Sequence, residues 1–436
     1  MDQESIIKNP IPFIKKIQPI EITNEIYLLT EKLNHKELKL SINQLAKIYH
    51  RLSDLNIGIK NFKNAEKYLK KFIEIYPENI EVNIALMHVF LTNSKKNKSI
   101  KIAQDLLKNY PNNIEIFNNC AHIKTLCGLY KASINISKKT LKIDSKNINA
   151  LSNLQNCYAS LGNYDECIKY CYKSLNLEIN NIDTISRLAT SLLYKRDFKL
   201  SLNYLKKLEK IDPLNSTVAS LYPFLNHQLK LKTNAKIISK PLDYISKFEI
   251  TPEFDQSPNF SSDIINYLNN LKKEWSPIRR STESGFVTEN FYLDQEEYPI
   301  KNLKDILNNY IKEYFQNYNF SNDFFITHRP INYSLYGWGV FLKAQGNQKS
   351  HNHNSGWLSG VLYLDIPNKM KGDEGSIEFS ICGYNFPYID NDIPTKTIKV
   401  SNNMLILFPS SLYHKTIPFS SNNDRISLAF DLIKNN

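Results

Sequence analysis

Residues 350–365 read SHNHNSGWLSGVLYLD. His351 and His353 stand two apart, just ahead of an apolar run ending at Asp365. In an extended segment residues i and i+2 point to the same side, so the two imidazoles converge wherever the backbone is extended. The run behind them is short, contains Gly, and is bounded by polar turn residues. That pattern fits a buried strand better than a helix. The chain has only nine histidines, so a pair placed at the mouth of a strand is a candidate for metal ligation.

Similar short apolar runs lie on either side. They are YSLYGWGVFLKA (333–344), GSIEFSI (375–381), TKTIKV (395–400), NMLILFP (403–409) and RISLAFDLI (425–433). Two helical stretches precede them, at about 261–274 and 300–317, and a first strand falls within KPLDYISKFEITPEF (240–254). Several strands of this length, preceded by helices, predict a β-sandwich or jelly roll backed by helices.

A third histidine, His414, follows NMLILFPS, and Arg425 comes eleven residues later. Alternation along the last strand places Arg425 and Ser427 on one face, with Ile426, Leu428 and Phe430 on the other. Three imidazoles from neighbouring strands can hold a divalent metal on one side and leave its other positions open. A guanidinium nearby gives a carboxylate a planar two-pronged partner. Open metal positions beside a carboxylate clamp suit a chelating keto acid.

The order H-x-H, GWLSGVLYLDIP, EGSIEF, LILFPSSLYHKTIPF and DRISLAFD resembles the 2-oxoglutarate–Fe(II) oxygenase domain often fused to tetratricopeptide repeats. The resemblance runs over about 250–434 and is densest over 337–432. It implies Fe(II) and 2-oxoglutarate as cofactors, O2 as co-substrate, and hydroxylation as the activity. It implies His351 and His414 as iron ligands and Arg425 as the partner of the far carboxylate of 2-oxoglutarate, with Ser427 and Tyr363 as assisting hydroxyls. His353 stands where most of the wider superfamily has Asp or Glu. It is either the third ligand, leaving a site with no protein carboxylate, or lies behind the metal while water or Asp365 completes the set. Trp357 is read as rim packing with a possible substrate contact.

The first half has a different rhythm. Pro77, Pro111, Ser145, Ile179 and Pro213 recur every 34 residues at helix ends. Within each unit large apolar residues (Leu151, Leu154, Tyr158) alternate with small ones (Cys167, Cys171, Ser174) at fixed places. Two amphipathic helices per 34 residues resemble the tetratricopeptide repeat. Neither helix buries its apolar face alone, so the units must stack. Such arrays offer a groove to a peptide or protein segment.

The sequence therefore predicts a multidomain chain. Residues 1–45 form a lead-in with a helix at about 24–45. Residues 46–235 hold five repeats and a capping helix in an all-α superhelix. Residues 236–436 form an α+β double-stranded β-helix, or jelly roll, backed by helices.

Composition narrows the function. No apolar run reaches the length of a membrane span, and MDQESIIKNPIPFIKK lacks the continuous apolar stretch of a secretory signal. The six cysteines form no C-x-x-C pair, which fits reduced thiols and a cytoplasmic location. Cys167 and Cys171 are four apart on a helix, at small-residue packing positions. The net charge of +12 divides into +15 over 1–239 and −3 over 240–436. With only seven Arg and no aromatic-interleaved basic stripe, the excess reads as compositional bias rather than a nucleic-acid surface. Three other readings stand beside the oxygenase: a repeat scaffold with an inactive or ligand-binding jelly roll, a cupin-like three-histidine metalloenzyme, and a zinc hydrolase. Gly346 ahead of H-x-H favours the cupin, but no Glu follows His353 within five residues. No general base stands out for the hydrolase.

Overall fold

The computed structural model describes residues 19–435 except 36–38, 233–234, 251–252, 255–256, 258, 278–280 and 369. The opening stretch 1–18, read above for a signal and as the start of the lead-in, lies outside the described residues. The chain divides into two compact units, Met1–Thr184 and Ile185–Asn436. No helix among the described residues is long and apolar enough to cross a membrane.

The first unit is helical. After α1 (Pro19–Asn34) come four helix pairs: α2 (Ile42–Gly58) with α3 (Phe62–Ile75), α4 (Ile80–Thr92) with α5 (Lys96–Asn109), α6 (Ile114–Leu126) with α7 (Tyr130–Ile143), and α8 (Ile148–Ser160) with α9 (Tyr164–Leu175). The period is visible in the caps. Asn79, Asn113 and Asn147, each 34 residues apart, accept the amide of the residue three further on, satisfying one of the unpaired donors of a helix start. The small-residue position also repeats as a bond: Ser99 Oγ donates to Met87 O at 2.7 Å, and Ser133 Oγ to Ala121 O at 2.8 Å. A larger residue there would separate the two helices of a repeat. The expected lead-in helix at 24–45 is two helices. Ser41 caps α2 through a reciprocal pair with Gln44, and α1 stops at Asn34.

In the second unit α10 (Ile182–Tyr194), which crosses the division, pairs with α11 (Phe198–Ile211), and α12 (Ser216–Gln228) follows. Ser201 Oγ donates to Ala189 O at 2.7 Å, the same repeat bond.

Beyond them, eleven strands among the described residues form two antiparallel sheets. They are β1 (Ser246–Glu249), β2 (Lys273–Trp275), β3 (Thr282–Thr288), β4 (Phe291–Tyr292), β5 (Tyr333–Gln348), β6 (Leu358–Asp365), β7 (Ile377–Ser380), β8 (Thr395–Ile398), β9 (Met404–Pro409), β10 (Tyr413–Thr416) and β11 (Arg425–Lys434). The large sheet runs β1-β9-β6-β11-β5-β3-β2, with β4 on β5; the small one runs β10-β7-β8. This is the expected jelly-roll arrangement.

The interior between the sheets is lined by alternate residues. Val361, Tyr363, Ile406, Phe408 and Ala429 from the large sheet meet Ile377 and Phe379 from the small one. The outer face of the large sheet is buried as well, with Leu428, Phe430 and Leu432 fully covered. Glycines make room there: a Cβ on Gly339 would lie 3.2 Å from Leu268 of α13 (Phe260–Asn270). The helix expected to run to 274 ends at Asn270, because the chain turns into β2 at Lys273. The helix expected at 300–317 is α14 (Ile300–Asn317), and its Tyr314 hydroxyl donates to Tyr244 O at 2.7 Å. A single helical turn, α15 (Phe324–Thr327), precedes β5.

Candidate metal centre

His351 follows β5 and pairs with His414 of β10 in an isolated antiparallel bridge. This bridge attaches the His351 segment to the outer side of β10 in the small sheet. His353 is tied two residues on, its amide donating to Ser410 O at 2.8 Å. The extended path of 351–353 therefore does what i, i+2 spacing requires, and the three histidines form one group. One ring nitrogen from each lies within 4.8 Å of the others. Ring centroids are 4.3 Å apart for His351–His414, 5.0 Å for His353–His414 and 5.2 Å for His351–His353.

Each ring has its Nδ1 bonded away from the group. His351 Nδ1 donates to Lys349 O at 2.7 Å and His414 Nδ1 to Leu412 O at 3.1 Å. His353 Nδ1 donates to Asp431 Oδ1 at 2.7 Å, with Ser359 Oγ at 3.0 Å. A carbonyl or carboxylate beside Nδ1 fixes the proton there, which leaves the lone pair on Nε2 in all three rings. Burial, reinforced by the other two imidazoles, holds His414 well below the usual histidine range, so it is neutral at pH 7. Three clustered imidazoles, each with its Nδ1 bonded outside the group, are a candidate metal-ligand set. Phe379, Phe408 and Trp338 pack around them.

Arg425 opens β11 and is among the largest fully buried side chains. Its Nε donates to Gly375 O at 3.0 Å, and its guanidinium sits 4.9 Å from the centroid of the Tyr363 ring. Among the described residues no carboxylate answers this charge. Burial lowers the pKa of Arg425, while Tyr363 opposes the shift. The Tyr363 hydroxyl is buried with no partner in hydrogen-bonding geometry, although the nearby Arg425 charge favours its ionised form against the larger effect of burial, which raises it. Ser427 is buried and stands directly opposite Tyr363 in the β11–β6 register. Arg425, Ser427 and Tyr363 thus share the inner face, as the alternation predicts.

Trp357 is placed elsewhere. Its indole stacks on Phe325 at 5.9 Å and Nε1 donates to Phe325 O at 3.0 Å. Asp365 ends β6 exposed and is not part of the histidine group. The acidic residue beside the triad is Asp431, which the sequence reading passed over together with Ser359. Their signal was present as period 2: Asp431 lies six residues after Arg425, and Ser359 four before Tyr363. His328 lies exposed against Thr327 and Phe324.

The family described as "Putative 2OG-Fe(II) oxygenase" matches residues 336–431, the segment that carries all of these side chains. The tetratricopeptide-repeat family matches 46–79 and 149–180. The chain joins tetratricopeptide repeats to a domain of this oxygenase family. No curated protein matches it. Among solved structures, "MamA 41-end from Desulfovibrio magneticus RS-1" is 16% identical, over 39% of this chain and 97% of that one, with a TM-score of 0.36. A tetratricopeptide repeat protein from Parabacteroides merdae is 13% identical, over 56% and 90%, with a TM-score of 0.44.

The residues fit the cofactors that this oxygenase family implies. Three lone-pair nitrogens are of the donor type that binds Fe(II). The buried Arg425 charge and the orphaned Tyr363 hydroxyl are two polar groups that a carboxylate would satisfy.

Proposed function

We propose that the second unit is a 2-oxoglutarate-dependent Fe(II) oxygenase that hydroxylates its substrate. His351, His353 and His414 would hold the iron, and Arg425, with Tyr363 and Ser427, the far carboxylate of the keto acid. The observation that carries this reading is Arg425. A guanidinium with no acidic partner, buried in an apolar barrel, costs several kcal/mol of desolvation in the free protein. A dicarboxylate whose far end reaches it removes that cost. When bound, iron and 2-oxoglutarate activate O2, oxidising a C–H bond to C–OH while the keto acid yields succinate and CO2. The chain's own part is to hold the metal through its three imidazoles, to clamp the keto acid, and to keep water out with Phe379, Phe408 and Trp338.

The repeats would recruit the substrate or a partner, a peptide or protein segment. Their fixed 34-residue frame, and the recurrence of polar side chains at one position of successive helices (His88 and His122), support that role.

The test is 2-oxoglutarate binding, without O2, to Fe(II)-loaded wild type and Arg425→Lys. Lys keeps the charge but loses the planar fork. The expected result is keto-acid affinity lower by about tenfold or more with metal content unchanged, since one charge-assisted bond is worth about 1.5–3 kcal/mol. Equal binding by both proteins would remove Arg425 as the clamp and favour a three-histidine metalloenzyme that uses no keto acid.

A further inference from the structure

We propose that Asp431 is a positioning residue for the metal centre: its carboxylate orients His353 and supplies, from behind that ring, the negative charge that a three-histidine set lacks. This rests on the metal reading above.

The other two rings donate their Nδ1 protons to neutral backbone carbonyls, Lys349 O and Leu412 O. His353 Nδ1 donates instead to a side-chain carboxylate, Asp431 Oδ1 at 2.7 Å. The same oxygen accepts the Ser359 hydroxyl at 2.6 Å, and Ser359 Oγ lies 2.8 Å from Ser410 Oγ. Ser410 O in turn receives the His353 amide. His353, Ser359, Ser410 and Asp431 are all buried. The chain closes over them at Gly356, where a Cβ would stand 2.5 Å from Ser410 Oγ and 3.0 Å from Asp431 Cγ.

The register explains how the parts meet. Asp431 of β11 is paired with Ser359 of β6, and Ser359 with Phe408 of β9. The carboxylate is therefore anchored at the centre of the large sheet and points into the barrel on the same face as Arg425. A carboxylate accepting from Nδ1–H locks the tautomer and makes the opposite nitrogen a stronger donor to a metal. The position that is Asp or Glu in the wider superfamily is His353 here, and an acid stands one hydrogen bond behind it.

The experiment uses the full chain with Co(II) as probe, read by its d–d absorption, for wild type, Asp431→Asn and Ser359→Ala. Asn keeps the shape and an acceptor oxygen but not the charge. The expected result is Co(II) affinity lower by about 10–100-fold in Asp431→Asn, with a shifted d–d spectrum and apo far-UV circular dichroism like wild type. Ser359→Ala keeps the charge but frees the carboxylate to turn, so it is expected to bind several-fold more weakly than wild type. If Asp431→Asn does not fold, Ser359→Ala decides, and wild-type affinity in it overturns the proposal. Co(II) binding by wild type and Asp431→Asn with equal affinity and equal spectra overturns the role of Asp431 alone. No Co(II) binding by wild type overturns the metal reading and this inference with it.

Discussion

His351 and His414 exchange both backbone hydrogen bonds, His351 N to His414 O at 3.0 Å and His414 N to His351 O at 2.9 Å. Two candidate ligands distant in sequence are thus fixed to each other by main chain, and their spacing does not depend on their side chains. Removing one imidazole should leave the bridge. His351→Ala is expected to fold and to lose its response to metal. Wild type at a free metal concentration of about 100 times Kd should gain about 2.7 kcal/mol, seen as a higher melting temperature that a chelator reverses. A variant that is stabilised by Co(II) as much as wild type would remove His351 from the ligand set.

Tyr363 and Arg425 make a second prediction. The Tyr363 hydroxyl is buried and unsatisfied, a state that costs about 1–3 kcal/mol. Tyr363→Phe keeps the ring under the guanidinium and removes the oxygen. The ligand-free variant is expected to be as stable as wild type or up to about 1 kcal/mol more so, while binding 2-oxoglutarate several-fold more weakly. Urea unfolding and keto-acid titration on the same samples measure both. Lower stability with unchanged keto-acid affinity would make the hydroxyl a structural group.

Much of this was legible in the sequence because it is periodic. The repeats announce themselves through a 34-residue frame, and Arg425 and Ser427 share a face because strands alternate. The triad was legible because H-x-H is local and His414 follows a strongly apolar strand. Asp431 was only half legible: its even spacing from Arg425 puts it on the inner face, but one acidic residue near the end of an apolar strand does not say what it meets. Only the pairing of β11 with β6 shows that it meets Ser359 and His353. β2, β3, β4 and β10 were also missed. TESGFVT (282–288) carries polar residues along most of its length, and the four residues of β10 form a strand only because β7 and the His351 segment lie on either side of them. Asp365 looked available because it is close in sequence, yet it ends its strand in solvent.

A third prediction concerns pH and the first unit. His88 and His122 occupy the same place in successive repeats, with ring centroids 5.9 Å apart. Burial, and secondarily the neighbouring His88, depress His122 to about 4, and burial also lowers His88. In the unfolded chain both titrate near 6.5. Between about pH 6.5 and 4 the unfolded state therefore binds protons that the folded state does not, and stability falls as pH falls. From pH 7.5 to 5, His122 should contribute a loss of about 1 kcal/mol, allowing for its partial exposure. His122→Asn should flatten that dependence. The helical circular dichroism transition in urea, followed at both pH values, gives the comparison, and equal slopes for the two proteins would refute it.

The last prediction concerns where the barrel-bearing unit begins. The loop 381–394 between β7 and β8 carries Phe386, which is buried. Its ring meets Tyr194 of α10 at 5.5 Å, Phe224 of α12 at 5.1 Å and Tyr413 of β10 at 5.3 Å. Gln228 holds the same loop by its main chain: Nε2 donates to Asp390 O at 2.8 Å, and Oε1 accepts from the amides of Ile389 and Asp390 at 2.6 and 3.0 Å. Tyr413 immediately precedes His414, so the support of this loop is also support for one candidate ligand. The change from helices to strands near 236 therefore separates Phe386 from two of its three aromatic partners. A fragment 236–436 should be less stable than 182–436 and prone to aggregate through the uncovered ring. Phe386→Ala in 182–436 should cost about 3–5 kcal/mol and abolish most of the advantage of the longer fragment. Unfolding midpoints of the two fragments and the variant test this. Equal midpoints for 236–436 and 182–436 would mean that α10–α12 contribute nothing to the barrel.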